Sequence, residues 1–347
     1  MLIPAVVVCA AASASNEIDS GTYVNPVLDE DFPDPSVVRT SDGVYWAVAT
    51  MSAGFNIQIA SSSNLTAWQH HGDALPKGNS WGVSLFLAPD ISYRVKRAGA
   101  GAASTLQFTL YYAGQHKNGT RCVGAATSPV AVGPYTDIGE PLTCGNPHGG
   151  IRAMDPRRVD YANGTSVLIW GSSTSPHALQ WQPLLPDAPG LLPGSSPMPL
   201  LSPNASRPYE RLIEGPWIDI DPTSGELVLY FSGDQCCGHT AHYAVAAAVW
   251  EREGGRWVRL SEVPGTSRQS DLVLAANSSG EWQAPGHNCV ARDDTGAVWM
   301  LYHAYRGADR SKRVLMLDRV TFDPLPYVGA PSAEARPAPR INKIAYH

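Results

Sequence analysis

Five short hydrophobic runs dominate the pattern along the chain. Each is rich in aromatic and β-branched residues and ends in small residues, as buried β-strands do. They cover residues 44–50, 108–114, 166–172, 226–233 and 298–304. Equivalent positions in successive runs lie 57 to 71 residues apart. Because long repeats with several strands each are typical of β-propellers, the pattern predicts an all-β fold, a five-bladed β-propeller.

Further runs, in which hydrophobic and small or polar residues alternate, follow four of the five hydrophobic runs. Residues 56–61, 122–127, 242–248 and 313–318 fit the next strand of their repeats. The proline-rich stretch 183–208 is predicted to form a long loop on the third blade. No amphipathic helix pattern and no apolar run of membrane-spanning length occurs in the sequence. We therefore predict a single propeller catalytic domain over residues 20–347.

The composition fits many short strands joined by turns. The 32 glycines and 29 prolines are dispersed rather than clustered, which is unusual for a helical protein. A formal net charge of −6 provides no basic face for nucleic acid. We expect a monomer that binds neither nucleic acid nor membrane.

The N-terminus resembles a secretory signal. Residues 2–12 are apolar, and Ala12-Ser13-Ala14 matches a small-x-small cleavage site, although no basic residue precedes Arg39. We predict a signal peptide at residues 1–14, with an ordinary first strand as the alternative. A secreted, extracellular glycoprotein would also account for the five Asn-x-Ser/Thr sequons at Asn64, Asn118, Asn163, Asn204 and Asn277.

The cysteines agree with an oxidising compartment. Cys122 and Cys144 bracket a short excursion and are predicted to pair. Cys236 and Cys237 could form a vicinal disulfide, or one of them could pair with Cys289. A zinc site is the weaker interpretation, because no CxxC spacing occurs.

A polar residue flanked by proline or glycine precedes each of the five hydrophobic runs. These residues are Asp34, Asp90, Asp155, Glu214 and His287. The innermost strands of a propeller run roughly parallel to its axis, so equivalent positions converge at one mouth of the central channel. Carboxylates gathered there would raise one another's pKa, a cost that folding alone does not require. Such acids can also simply cap turns, but three at equivalent positions favour a functional site.

Converging carboxylates in unequal environments suit glycoside hydrolysis. One must be protonated to donate to the leaving oxygen, and another must be ionised to activate water. Asp34 lies in a polar stretch beside Asp31 and should ionise readily. Glu214 has the apolar neighbours Ile213 and Trp217, which together with an ionised Asp155 would keep it protonated.

The sequence resembles glycoside hydrolase family 43 in six motifs, in order and at propeller spacing. The motifs are Asn25-Pro26 through Asp34-Pro35-Ser36, Ala88-Pro89-Asp90-Ile91, Ala153-Met154-Asp155-Pro156, Glu214-Gly215-Pro216-Trp217-Ile218, Pro285-Gly286-His287-Asn288 and the stretch 313–320. The resemblance implies a five-bladed propeller with inverting chemistry. It makes Asp34 the general base, Glu214 the general acid and Asp155 the carboxylate that orients the acid and raises its pKa.

Three further roles follow from the same resemblance. His287 matches a histidine that, in arabinan-cleaving relatives, helps to hold a hydrated Ca²⁺ or other ion in the channel; a hydrogen-bonded core histidine is the alternative. Arg313 matches an arginine that reaches a sugar hydroxyl in some relatives, with a surface strand residue as the alternative. Asp90 is expected to shape the site rather than react.

An aromatic contact with the sugar is also expected. Phe32 is predicted to pack against the sugar ring. The family often has a tryptophan just before the Ala-Pro-Asp motif, where this chain has Leu87. Trp81, Phe86 or Trp217 could supply the stacking platform instead.

These features predict a secreted inverting enzyme that cleaves α-L-arabinofuranosyl linkages in plant cell-wall arabinan or arabinoxylan. Exo-acting arabinofuranosidase and endo-1,5-α-L-arabinanase activity both remain open. A β-D-xylosidase of the same family is the first alternative. A non-catalytic propeller that binds sugars is the alternative from another class, because fold alone never proves catalysis.

Overall fold

The computed structural model describes residues 21–96, 105–146, 152–172 and 178–341. The predicted signal peptide at residues 1–14 lies outside these ranges. Strands dominate the described chain, and the remaining element is a short 3₁₀ helix at Leu260–Glu262. No helix within these ranges has both the length and the apolar character needed to cross a bilayer.

Five antiparallel sheets follow one another along the chain and form blades 1 to 5. After β1 (Thr22–Tyr23), blade 1 contains β2 (Ser36–Arg39), β3 (Tyr45–Ala49), β4 (Gln58–Ser62) and β5 (Gln69–Asp73). Blade 2 contains β6 (Gly82–Lys96), β7 (Thr105–His116), β8 (Arg121–Ser128), β9 (Thr136–Asp137) and β10 (Thr143–Cys144). Blade 3 contains β11 (Ala153–Asp160), β12 (Ser166–Ser172), β13 (Ala178–Pro183) and β14 (Met198–Leu201).

The last two blades complete the ring. Blade 4 contains β15 (Ile213–Ile220), β16 (Leu227–Gln235), β17 (His242–Glu251), β18 (Arg256–Arg259) and β19 (Leu272–Leu274). Blade 5 contains β20 (Trp282–Arg292), β21 (Val298–Arg306) and β22 (Val314–Arg319), and the chain continues through β23 (Thr321–Phe322), β24 (Pro326–Tyr327) and β25 (Arg336–Pro337). The first strand of each blade contacts the first strand of the next, and β20 contacts β2. The prediction of a five-bladed β-propeller is confirmed.

The five hydrophobic runs form the second strand of each blade, β3, β7, β12, β16 and β21. These strands are flanked on both sides by partners of the same sheet and are packed between neighbouring blades. They are therefore the most continuously apolar segments. The first strands line the central channel, and four of the five predicted polar residues lie in them, while Asp34 lies two residues before the start of β2.

The prediction for the proline-rich stretch 183–208 was wrong in part. Residues 198–201 form β14, which pairs with β13 at the edge of blade 3. Proline is tolerated on an edge strand, because one side of such a strand needs no hydrogen-bond partner. The composition alone therefore concealed a strand.

The N-terminal segment secures the closure of the ring. Val27 N–H donates to Leu315 C=O (3.0 Å), and Leu315 N–H donates to Leu28 C=O (3.1 Å). The Asn25 side chain accepts from Leu317 N–H (2.9 Å) and donates to Leu317 C=O (2.8 Å). These bonds join residues almost 300 positions apart. They hold residues 25–28, which precede Asp34, against β22 of blade 5.

Candidate active site

A repeated backbone irregularity turns the functional side chains into the channel. The ladders between the first and second strands shift register at Leu87/Asp90, Met154/Arg157, Glu214/Trp217 and Gly286/Cys289. A proline lies within three of these bulges, where its missing N–H leaves no ladder bond unmade. Asp34 and Asp155 both have φ of +55°, and His287 has φ of +50°. Such values are uncommon for residues other than glycine, and clusters of them mark functional sites.

Asp155, Glu214 and His287 meet at the mouth of the channel. One ligand atom from each lies within 4.8 Å of those of the other two. Asp34 joins them, because its Oδ1 lies 3.6 Å from His287 Nδ1. Of the five positions expected to gather here, these four lie close together, whereas the Asp90 carboxyl is bound by Ser36, Arg157 and Arg158.

Asp34 is held in its ionised form. Its Oδ1 accepts from Arg313 (2.9 Å), and its Oδ2 accepts from the Thr50 hydroxyl (2.6 Å). Burial alone would raise the pKa of Asp34, but Arg313, His287 and His303 together hold that pKa well below its usual value. Burial holds the pKa of His287 at about 4 and also lowers that of His303, so both rings are neutral at neutral pH. Arg313 therefore supplies the compensating positive charge.

His303 supports Asp34 from blade 5. The ring is fully buried, and its Nδ1 accepts a hydrogen bond from the Asp34 backbone N–H (3.1 Å) and lies 3.2 Å from Asp34 Oδ1. Sequence reasoning missed this residue. The available signal was its position in the hydrophobic run 298–304, in which it is the one polar side chain.

Glu214 is held in a protonated form at moderate pH. Burial, the largest cause, raises the pKa of Glu214 to about 7, and the nearby Asp34 adds to the rise. The Tyr243 hydroxyl donates to Glu214 Oε1 (2.7 Å), which opposes the rise, as does the positive charge of Arg313. Sequence reasoning missed Tyr243 because it comes from β17, two strands away from Glu214 in the sheet.

The Asp155 carboxyl shares the environment of Glu214. Its Oδ2 accepts from Gly215 N–H (3.0 Å). Burial, followed by the charges of Glu214 and Asp34, raises the pKa of Asp155 well above its usual value. The expectation of an Asp155 that is simply ionised is therefore not supported. At mildly acidic pH the two carboxyls therefore retain at least one proton between them, because two negative charges this close disfavour each other.

Two glycines make this packing feasible. A Cβ on Gly286 would lie 2.1 Å from the Tyr243 ring, so any larger residue would displace the ring that reaches Glu214. Gly215 has φ of +57°, and a Cβ there would lie 3.2 Å from the His287 ring. Both positions therefore require the smallest side chain.

Asp90 is almost fully buried. It accepts hydrogen bonds from the Ser36 hydroxyl (2.7 Å) and from Arg158 N–H (3.0 Å), and it forms an ion pair with Arg157. Arg157 in turn stacks on Trp217, with the guanidinium carbon 3.3 Å from the ring centroid. Asp90 thus ties blades 1, 2 and 3 together.

The predicted aromatic contacts with the sugar need correction. Phe32 is fully buried and packs edge-on against His70, so it presents no face to a ligand. Trp217 is 5% exposed and is covered by Arg157, while Trp81 and Phe86 belong to the core of blade 2. Side-chain direction at these positions depends on the local bulges, which the sequence pattern did not show.

Arg313 connects the site to a disulfide. Cys236 and Cys237 form a vicinal disulfide, and Arg313 lies 3.5 Å from Cys237 Sγ while it binds Asp34. Cys122 pairs with Cys144, and Cys289 is a free, buried thiol. Of the two pairings considered for Cys236 and Cys237, the structure contains the vicinal disulfide. Arg313 reaches Asp34 in the channel, so it is not a surface residue.

Three of the clustered side chains could also hold a cation. Asp155, Glu214 and His287 offer two carboxylates and one neutral imidazole. Ca²⁺ takes six to eight oxygen ligands, so a calcium ion here would take most of its ligands from water. The ion near His287 stays a prediction.

Comparison with known proteins identifies the family of this chain. The model of the family described as Glycosyl hydrolases family 43 matches residues 23–324. No curated protein matches the chain by sequence. Among solved structures, a thermostable family-43 glycoside hydrolase is 22% identical with a TM-score of 0.72, and the match covers 92% of this chain and all of that one.

Two further structures carry names that describe their substrates. An α-L-arabinanase from Cellvibrio cellulosa in complex with arabinohexaose is 18% identical, with a TM-score of 0.66 over 86% of this chain and 95% of that one. An α-L-arabinofuranosidase from Lactobacillus brevis is also 18% identical, with a TM-score of 0.66 over 89% of this chain and 97% of that one. At these identities the structural likeness shows the fold, while the match to the family model covers most of the chain. The chain therefore belongs to glycosyl hydrolase family 43, whose members hydrolyse glycosidic bonds with inversion.

Proposed function

We propose that this glycoside hydrolase is an extracellular enzyme that cleaves α-L-arabinofuranosyl linkages in plant cell-wall arabinan or arabinoxylan. The observation that carries the chemistry is the opposite direction of two pKa shifts at one channel mouth. The pKa of Asp34 is lowered, whereas that of Glu214 is raised to about 7. An inverting glycosidase needs this combination of an ionised base and a protonated acid.

Asp34 acts as the general base in this proposal. A water molecule between Asp34 and the anomeric carbon loses a proton to the carboxylate as its oxygen forms the new bond. The Thr50 hydroxyl and Arg313 fix the carboxylate in position. Because Arg313 also stabilises the ionised form, Asp34 remains able to accept a proton across the neutral range.

Glu214 acts as the general acid. Its proton passes to the glycosidic oxygen as the bond to the anomeric carbon breaks, so the leaving group departs as a neutral hydroxyl. The Tyr243 hydroxyl orients the carboxyl by donating to Oε1 (2.7 Å). Asp155 is a positioning residue in this proposal, because its Oδ2 accepts from the N–H of Gly215, the residue next to the acid (3.0 Å).

Activity should fall as pH rises through about 7, where Glu214 loses the proton that it must donate. The acidic limb should lie below the usual aspartate pKa, because the active form of Asp34 is ionised and its pKa is lowered. Tyr243→Phe removes a hydrogen bond that favours the ionised form of Glu214. The alkaline limb of kcat/KM should therefore move up by roughly one pH unit, the equivalent of one hydrogen bond to a charged group.

A second tyrosine provides the control for this profile. The buried Tyr302 hydroxyl donates to Asp318 (2.5 Å) in blade 5, away from the carboxylates. Tyr302→Phe should lower the melting temperature without moving the alkaline limb. An unchanged limb in Tyr243→Phe would contradict the assignment of Glu214 as the acid.

The preference for arabinose rests on two neighbours whose names specify arabinan or arabinofuranoside, and a β-D-xylosidase is the second candidate. Hydrolysis of nitrophenyl α-L-arabinofuranoside and nitrophenyl β-D-xylopyranoside, compared on the same preparation, tests the choice. Faster release from the arabinofuranoside supports the proposal, and xylose release alone overturns it. Binding without turnover of any pentoside would favour a non-catalytic sugar-binding propeller.

The mode of action can be read from the products of linear arabinan over time. Free arabinose from the outset would indicate an exo-acting enzyme, whereas a ladder of oligosaccharides would indicate an endo-acting enzyme. Secretion is part of the proposal because of the apolar N-terminus and the five sequons. Four of the five sequon asparagines are exposed, and Asn64 is half-buried.

A further inference from the structure

A large cleft opens between blades 3 and 4, away from the carboxylates. Its volume is about 930 Å³, near the upper end of the roughly 300–1,000 Å³ range of ligand sites. Strand register places it at the opposite face of the propeller. Glu214 pairs with Ser232 near one end of blade 4, while Leu227 in the cleft wall pairs with Ile220 at the other end.

Half-buried aromatic rings form the walls of this cleft. They are Tyr161, Trp181, Trp250 and Trp257. Trp250 and Trp257 are register partners in β17 and β18, and their rings meet edge to face with centroids 5.3 Å apart. Three partly exposed indoles and one phenol ring therefore share a single concavity. Such a surface favours a ligand with apolar faces.

The rim of the cleft is polar but carries little charge. Asn163, Thr165 and Ser202 contribute amide and hydroxyl groups. Among the described residues that line the cleft, only Arg256 is charged, and its side chain pairs with Glu251 (2.7 Å). The cleft therefore offers no net charge to an anionic or cationic partner, whereas its aromatic walls and hydrogen-bonding rim match a neutral ligand with apolar and polar edges.

We propose that this cleft is a second polysaccharide-binding site, which holds a stretch of the neutral pentose polymer apart from the catalytic channel. Sugar rings have apolar C–H faces that can stack on indoles and hydroxyls that can bond to the rim. The identity of the polymer rests on the proposed function. Leu227 and Ser232, the partners of Ile220 and Glu214, lie five positions apart on β16. This separation is roughly 17 Å along the strand, so the cleft is not a continuation of the catalytic pocket.

Such a site would keep the enzyme on an insoluble or branched polymer between cleavage events. Binding at one site raises the effective concentration of the same chain at the other. Short substrates that fill only the catalytic channel would gain nothing. The second site should therefore affect polymer binding and polymer hydrolysis but not hydrolysis of a nitrophenyl pentoside.

Affinity electrophoresis through gels that contain linear arabinan or arabinoxylan tests the proposal. The parent is Glu214→Gln, which strongly slows hydrolysis. It is produced in a host without N-linked glycosylation because Asn163 on the rim is a sequon. Adding Trp250→Ala should weaken binding of at least one polymer roughly tenfold, through loss of the stacking face. Ser202→Arg is the second variant; it leaves the tryptophans in place and fills the exposed rim with a charged side chain.

Trp46→Ala is the matched control. Trp46 is also a half-buried tryptophan, but it lies in blade 1, where it packs beside His71. The Trp46→Ala variant should bind both polymers as tightly as the parent does. The proposal is overturned if the parent is not retarded by either polymer, if Trp250→Ala and Ser202→Arg both migrate like the parent, or if Trp46→Ala weakens binding equally.

Hydrolysis of small substrates separates this proposal from the proposed function. In the otherwise native enzyme, Trp250→Ala and Ser202→Arg should hydrolyse the preferred nitrophenyl pentoside at the native rate while they lose activity on the polymer. If the native enzyme hydrolyses no pentoside, the proposed function fails, and the electrophoresis still decides whether the cleft binds polysaccharide.

Discussion

Glu214→Gln should lower kcat/KM on linear arabinan by about 10²–10⁴-fold, the usual contribution of a general acid. Glutamine has nearly the same shape as glutamic acid, and its amide oxygen can still accept the Tyr243 hydroxyl hydrogen bond. It cannot donate a proton as an acid at neutral pH. Initial rates of reducing-sugar release, with a melting curve to confirm folding, measure the effect.

The leaving group provides the internal control for Glu214. A dinitrophenolate leaves without a proton. The Glu214→Gln variant should therefore lose much less of its activity on dinitrophenyl arabinofuranoside than of its activity on arabinan. A general acid matters most when the leaving oxygen is most basic. An equal loss on both substrates would mean that Glu214 does something other than protonate the leaving group.

Asp34→Asn should cause a loss of similar size, about 10²–10⁴-fold, on both kinds of substrate. Activation of water is needed whatever the leaving group, so the ratio of the two rates should stay near that of the native enzyme. The substitution also leaves Arg313 without its charged partner, and some loss of stability should accompany the loss of rate. Rates on both substrates and the melting temperature are the measurements.

Asp160→Asn is the control for Asp34→Asn. Asp160 lies at the end of β11 remote from the carboxylates, where it binds Arg158. The Asp160→Asn variant also loses a paired carboxylate, but it should retain activity. A catalytic rate in Asp34→Asn close to that of Asp160→Asn would contradict the role of Asp34 as the base.

The five-fold repeat and the positions of the acids could be predicted from the sequence because both recur at similar spacing along the chain. Five apolar runs at similar spacing identified the blades, and Asp34, Asp155 and Glu214 recur at equivalent places ahead of these runs. Convergence then follows from propeller geometry alone. A single blade would not have distinguished these acids from turn caps.

The residues that tune the acids left no such trace. Tyr243 and His303 reach Glu214 and Asp34 from other strands, and their contacts depend on sheet register and on the small size of Gly286. The same limit explains the error at Phe32. Its neighbour Asp34 turns into the channel through a left-handed backbone, while Phe32, two residues earlier, turns into the core. Proximity in sequence did not predict a shared direction.

The pKa of Asp155 shows a related limit. Neighbouring residue types suggested an ionised carboxylate that keeps Glu214 protonated. In the folded chain, burial acts on both carboxyls and raises both pKa values. Burial depth is a property of the assembled ring and could not be estimated from one strand.

The most direct test of the central claim is the anomer released first, followed by ¹H NMR during hydrolysis of an α-L-arabinofuranoside. If Asp34 activates a water on the face of the sugar opposite Glu214, the first product should be β-L-arabinofuranose, which then equilibrates to the mixture of anomers. Initial release of the α anomer would mean that configuration is retained. It would contradict the assignment of Asp34 as the base and of Glu214 as the acid in a single displacement.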